Sequence, residues 1–386
     1  AGRLLSLRRM QISTIVDYLQ TLAPPAYQES YDNAGLLTGD GSRECTGVLT
    51  TLDATEPVVE EAAARGCNLI VAHHPIVFGG LKKLTGRTYV ERTVIAAIRK
   101  DIAIFAIHTN LDNVVREGVN GRIASMLGVV GTRALQPREG VLRKLYCFVP
   151  VDHLERVRSA VFSAGAGQMG AYSECSYTVE GQGTFKGGEG THPFAGQPGR
   201  RHEEKEARLE VILPSHLSRQ VVEAMIAAHP YEEVAYDLIP LANAHPGVGS
   251  GLVGELPEPM EESAFLDRVG SVFGLMVIRH TRLRGRPVKR VAVCGGAGSF
   301  LISNALAAGA DCYITADVKY HEFFDAEDRM VIADIGHFES EQFTVDLLFE
   351  FLREKFRNFA VLKSETKTNP VKYYRVGGAG PAEARR

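Results

Sequence analysis

Apolar residues recur along this chain in two rhythms, one near a helical period and one of short unbroken runs. Helical spacing covers 12–22 and stops at Pro24-Pro25, where a helix cannot continue. The run 48–52 reads as a strand. The stretch 57–65 reads as a helix, with Thr55 placed to cap it, Pro57 in its first turn and Gly66 just past its end. The apolar word NLIVA (68–72) is a short strand running into His73-His74-Pro75. A helix over 89–100, a strand over 102–107 and a helix over 119–127 follow. Alternation with such short connections predicts a mostly parallel α/β sheet.

The same rhythm returns near the other end. A strand over 288–294 leads into Gly295-Gly296-Ala297-Gly298, then a helix over 299–308 and a strand over 311–315. A helical stretch at 318–326, a strand at 330–334, a long amphipathic helix at 339–355 and a last strand at 371–376 complete this half. The middle reads differently: strand 144–149, helix 154–164, strand 171–179, a glycine-rich charged loop 181–205, strand 208–213, helix 217–228, strand 233–239. That β-α-β-β-α-β order is ferredoxin-like. Residues 247–254 read as the linker back. The expectation is a split three-layer α/β domain, 10–138 and 247–376, with a self-contained α+β domain inserted at 139–246.

Composition narrows the function classes. Hydrophobic residues are 45 % and charged residues 23 %, which argues for a folded chain rather than a disordered one. Lys and Arg number 43 against 46 Asp and Glu, a near balance that gives no footprint for nucleic acid or an acidic membrane. No 18-residue window is uninterruptedly apolar, and the basic first ten residues lack the apolar core of a secretory signal. Six cysteines form no C-x-x-C pair, so they read as reduced thiols of a cytoplasmic protein rather than a zinc-thiolate site.

Three predicted strands end in metal-competent residues. One ends in His73-His74, one in His108 with Asp112 four residues on, one in Asp334 followed by His337 and Glu341. Ligands of open α/β sheets bind beyond the carboxyl ends of the strands, so neighbouring strands in one parallel sheet would gather these side chains at one edge. Adjacent strand residues point to opposite faces, but Pro75 breaks the ladder, and two diverging imidazoles suit two metals better than one. His337 and Glu341 share a helix face, while Asn110 and Asp112-Asn113 suggest a turn after His108. One histidine at a strand end is usually just a hydrogen-bonded residue; the same chemistry at three strand ends is the argument for a metal. The mixed nitrogen and oxygen donors fit Zn, Fe or Mn alike.

At these residues the chain resembles a known family, the NGG-one-interacting-factor-three-like proteins with a dinuclear metal centre, often labelled GTP cyclohydrolase I type 2 homologues. The matching words are YDNAGLLTGD (31–40), LIVAHHPIVFGGLKKL (69–84), AIHTNLDNV (106–114), VAVCGGAGS (291–299), ITADVKYHEF (314–323) and IADIGHFESE (332–341). Tyr31 stands where the family usually has Trp, and Ala316 where it has Gly. The resemblance implies metal ligands at His73, His74, Asp112, His337 and Glu341, with Glu341 as a bridge and His108 as a ligand or a residue just behind one. It implies two divalent ions per chain, a homohexamer of two trimers shaped as a toroid, and an insert similar to CutA/PII-like units. It also implies a metal-dependent hydrolase acting on a nucleotide or phosphoester; the rival expectation is a non-enzymatic metal-binding regulatory or metal-chaperone scaffold.

Other residues are weighed beside these. Glu339 competes for a metal but should point off the His337 face. His321 reads equally as a pocket acid/base and as a polar helix residue. The run at 295–298 lacks the full phosphate-binding pattern and reads as a tight turn.

Overall fold

The computed structural model describes residues 10–374. They form three sheets. The first has five strands in the order Gly35–Thr38, Ala103–Ala106, Leu69–His74, Val48–Asp53, Val361–Lys363. All neighbours are parallel except the antiparallel edge Gly35–Thr38. The second has six, in the order Arg279–His280, Val331–Asp334, Cys312–Ala316, Val288–Ala297, His245–Met260, Val130–Arg138. Its strands Val288–Ala297, Cys312–Ala316 and Val331–Asp334 are parallel, the rest antiparallel.

Parallel strands covered on both faces read as continuous apolar runs, and alternation then only sorts residues between two cores. Leu69 and Val71 pack into the core shared by the two sheets, together with Phe105, Val291, Val293 and Ile314. Ile70 and Ala72 face the outer helices Glu56–Ala64 and Tyr89–Arg99. The helices Ile12–Leu22, Val119–Leu127, Glu262–Phe273 and Thr344–Lys355 contribute to the shared core. A third core covers the outer face of the second sheet beneath Ile302–Ala307.

The expectation of one parallel sheet is therefore corrected. The strands ending in His73-His74 and before His108 lie in the first sheet, the strand before His337 in the second. The two halves of the chain also exchange strands: Val361–Lys363 closes the first sheet and Val130–Arg138 closes the second. The expected linker 247–254 is the middle of the long strand His245–Met260. Its glycines hide the strand pattern because they sit where neighbouring backbone presses close; a Cβ at Gly249 would lie 2.4 Å from the Gln136 carbonyl oxygen.

The third sheet is antiparallel, in the order Ser176–Lys186, Arg201–Pro214, Leu142–Pro150, Tyr236–Leu241. Helices Leu154–Ser163 and Ser218–Ala228 bury one apolar face against it. This is the β-α-β-β-α-β order read from the sequence. The expected loop 181–205 is shorter than predicted, because the two strands extend as a hairpin arm out to the pair Lys186 and Arg201. Polar residues on both faces of that exposed arm concealed its strands.

Three smaller expectations change. The helix over 339–355 is broken into His337–Glu341 and Thr344–Lys355. The stretch 318–326 holds a 3₁₀ turn, Tyr320–Ala326. Residues 371–374 are not a strand, and 375–376 lie outside the described residues.

Candidate metal centre

The centre sits between the first two sheets, where their strands end. His73 is the last residue but one of Leu69–His74 and is fully buried. Its Nδ1–H donates to the Ile107 carbonyl at 2.9 Å, which turns Nε2 inward. His74 is paired in register with Asp53, and its Nδ1–H donates to Asp53 Oδ1 at 2.7 Å. His108 donates through Nδ1 to Asp32 Oδ1 at 2.8 Å. His337 donates through Nδ1 to Asp317 Oδ2 at 2.6 Å. All four rings are thus anchored by one nitrogen, three of them on carboxylates, and present the other. An outer acceptor on a histidine fixes its tautomer and its aim, the usual support of a metal-bound imidazole.

The presented atoms converge. His74 Nε2 lies 2.9 Å and His337 Nε2 3.2 Å from Glu341 Oε2. His73 Nε2 lies 3.6 Å from Asp112 Oδ1 and 3.8 Å from Glu341 Oε1. Three triads have donor atoms mutually within 4.8 Å: His73, Asp112 and Glu341; His74, His337 and Glu341; and His73, His74 and His108. Glu341 joins two of them, one oxygen to each side. The one-turn helix Thr109–Asp112, rather than an open turn, carries Asp112 back toward His73.

Two donors stand out. His73 Nε2 and Asp112 Oδ1 are buried with no hydrogen-bond partner. Orphaned polar atoms in a protein interior cost free energy and call for an explanation. A divalent cation between them supplies one, and nitrogen and carboxylate donors suit such an ion. The residues present therefore fit a metal.

Charge balance in the metal-free centre points the same way. Burial pulls the pKa of His73 down. Burial also works against protonated His74, but its bonds to Asp53 and Glu341 outweigh that and raise it to about 10. Burial opposes His337 in the same manner, and Glu341 and then Asp317 raise it to about 9. Burial, then repulsion from Glu341, pushes Asp112 well above the usual carboxylate range. Burial would lift Glu341 too, yet the imidazoles of His337, His73 and His74 hold it well below. Protons take the place that cations would fill.

The fit depends on glycine. A Cβ at Gly296, whose φ is +63°, would lie 2.3 Å from Glu341 Oε1. The run at 295–298, read as a plain turn, is therefore where the second sheet lets Glu341 in. It is not a phosphate cradle either: Gly295 N–H donates to Asn120 Oδ1 and Gly296 N–H to Ser340 Oγ, each at 2.9 Å.

All six residues expected from the sequence meet here. Glu339 belongs to none of the three triads; it accepts from Asn369 Nδ2 at 3.0 Å and lines the cavity above. His321 does not line the cavity over the centre. Sequence reading missed the anchors Asp32, Asp53 and Asp317. Asp53 ends a strand as the ligands do, and Asp317 has a left-handed backbone, φ +55°, rare outside glycine. Asp32 and Asp317 each follow a position where the chain departs from its family's pattern. A cavity of about 1050 Å³ opens above the centre.

With this geometry in place, comparison with known proteins is decisive. The sequence matches Duf34/NIF3 (NGG1p interacting factor 3) over residues 10–370. The chain belongs to that family. A Halalkalibacterium halodurans protein named GTP cyclohydrolase 1 type 2 homolog is 38 % identical over 365 residues, covering 93 % of this chain and 98 % of the relative. A Bacillus subtilis protein of the same name is 35 % identical, covering 93 % and 97 %. The crystal structure of a Bacillus cereus protein related to NIF3 superposes with a TM-score of 0.84 at 36 % identity, over 95 % of this chain and 100 % of that one. The Duf34/NIF3 chain described here has no helix among its described residues long and apolar enough to cross a membrane.

Proposed function

We propose that this Duf34/NIF3 chain is a cytoplasmic metal-dependent hydrolase acting on a nucleotide or phosphoester, with two divalent ions, Zn, Fe or Mn. His73, Asp112 and Glu341 would hold one ion, His74, His337 and Glu341 the other, with His108 beside the first pair. The orphaned pair His73 Nε2 and Asp112 Oδ1, set among four imidazoles already aimed by their outer nitrogens, carries this reading. Two bound ions acidify water and stabilise negative charge developing on a carbonyl or phosphoryl oxygen. The chain's own part is to aim the donors, to keep Asp53, Asp317 and Asp32 as proton acceptors on the outer nitrogens, and to exclude bulk water beneath the cavity. The name shared by the relatives supports a nucleotide as the first substrate class to try.

The test is turnover of nucleotides and phosphoesters by metal-loaded protein, with His74→Ala alongside. Multiple turnovers lost in that variant support the hydrolase. Metal uptake and release with no turnover supports instead a regulatory or metal-chaperone scaffold. We also propose a homohexamer of two trimers and a CutA/PII-like role for 139–246 in assembly or ligand sensing. The compact two-helix sheet there supports a unit with its own core, and light scattering measures the assembly.

A further inference from the structure

The cavity over the metal centre is acidic and aromatic, and its positive charge is already spent. Besides Asp112 and Glu341 it is lined by Glu29, Asp53, Asp317, Asp334 and Glu339. Arg279 is the one lysine or arginine among its described lining residues. That guanidinium donates to Asp334 Oδ2 at 2.8 Å and to the Val318 carbonyl at 3.0 Å, and it lies over the Phe323 ring. The glycine run offers no free cradle at Gly295 or Gly296, whose N–H groups are bonded to Asn120 and Ser340. Two divalent ions would neutralise four of the seven lining carboxylates and leave the walls negative. Proteins that hold polyphosphates meet the tail with Lys, Arg, backbone N–H groups and metal ions, and here the two proposed ions alone would meet it.

What the walls do offer is ring surface. Tyr31, Phe78, Tyr89, Phe300 and Tyr373 line the cavity, each between 45 and 69 % exposed. Phe78 stands edge-on to His108, with ring centroids 5.7 Å apart. Aromatic faces left open around one cavity suit a planar ring, which stacks on them without needing charge.

We propose that the substrate of this site is a ring-bearing molecule of low charge, aromatic or heteroaromatic, with one polar group the size of a carbonyl or a single phosphate ester reaching the metal centre. A nucleoside triphosphate is a poor ligand, because the rest of its tail would lie along carboxylates. This rests on the hydrolase reading and narrows its substrate class.

The test holds the ring constant and varies the charge. Full-length protein loaded with zinc is titrated calorimetrically with guanosine mono-, di- and triphosphate, and its metal content is measured before and after. Affinity should fall with each phosphate, the triphosphate binding about tenfold or more weaker than the monophosphate. Phe78→Ala should weaken the monophosphate about fivefold or more at unchanged metal content. A triphosphate that binds as tightly as the monophosphate overturns the proposal. So does failure of the monophosphate to bind a fully loaded protein, a result that leaves the hydrolase reading standing. Protein that takes up none of zinc, iron and manganese overturns both.

Discussion

Glu341 is the residue on which the centre turns: buried, four positions after His337, with its two carboxylate oxygens facing different histidines. Glu341→Gln should cost both ions, whereas Asp53→Asn leaves every ligand in place but gives His74 Nδ1–H a neutral acceptor in place of a charged one. Outer acceptors of this kind are worth about 10- to 100-fold in metal affinity, so Asp53→Asn should lose metal to a chelator correspondingly faster, measured by dissociation kinetics. Gly296→Ala should shift Glu341 and add backbone strain of about 1–3 kcal/mol, seen as lower metal content together with a lower Tm. The pH dependence has a definite sign. In the metal-free chain His74 and His337 are raised to about 10 and about 9. Their stabilisation of that form is complete below their unfolded pKa near 6.5 and is lost as pH rises through those values. Metal must displace the same protons. The Tm of metal-free protein should therefore fall between pH 7 and 10, while metal affinity rises over the same range and binding at pH 7 releases protons, followed in a weakly buffered titration. These ligand residues were legible in the sequence because strand ends are where such folds place chemistry. Asp32 and Asp53 were not, because their role exists only through a partner distant in sequence.

At the scale of elements, the segment after Val361–Lys363 ties the site together. Burial works against ionised Glu61, yet hydrogen bonds from Ser364, Thr366 and the Glu365 N–H hold it ionised down to about 2. Thr368 Oγ1 then donates to Asp53 Oδ2 at 2.5 Å, and Asn369 reaches Glu339. The strap thus braces the acceptor that aims His74. Thr368→Val should speed metal release about severalfold with little change in Tm, and Thr368→Ser should restore it. Cobalt-substituted protein gives the independent readout, a change in the absorption of the His74 site. The individual parallel strands were readable from unbroken apolar runs. Their assignment to sheets was not, since the strands Val130–Arg138 and His245–Met260 mix glycine, proline and charge, and pairing across more than 100 residues leaves no local pattern.

For the whole molecule, the third sheet enters and leaves the rest at paired residues. Arg138 faces His245 in the second sheet, and Leu142 faces Leu241 in the third. The link between the two bodies includes the ring contact of Tyr27 with His216, centroids 5.3 Å apart. Replacing 142–241 by a short linker should therefore leave a chain that folds and retains its metal, checked by its melt and its metal content. The third sheet was visible in the sequence as a change of rhythm, but the interleaving of the two halves around a shared core was not.

Metal content, measured by mass spectrometry on the intact chain and on Glu341→Gln after reconstitution with Zn, Mn or Fe, tests the shared carboxylate of the centre. About two ions per chain, lost in the variant, are expected. An intact chain that takes up none of the three metals, or a variant that keeps both ions, contradicts a di-metal centre bridged by Glu341.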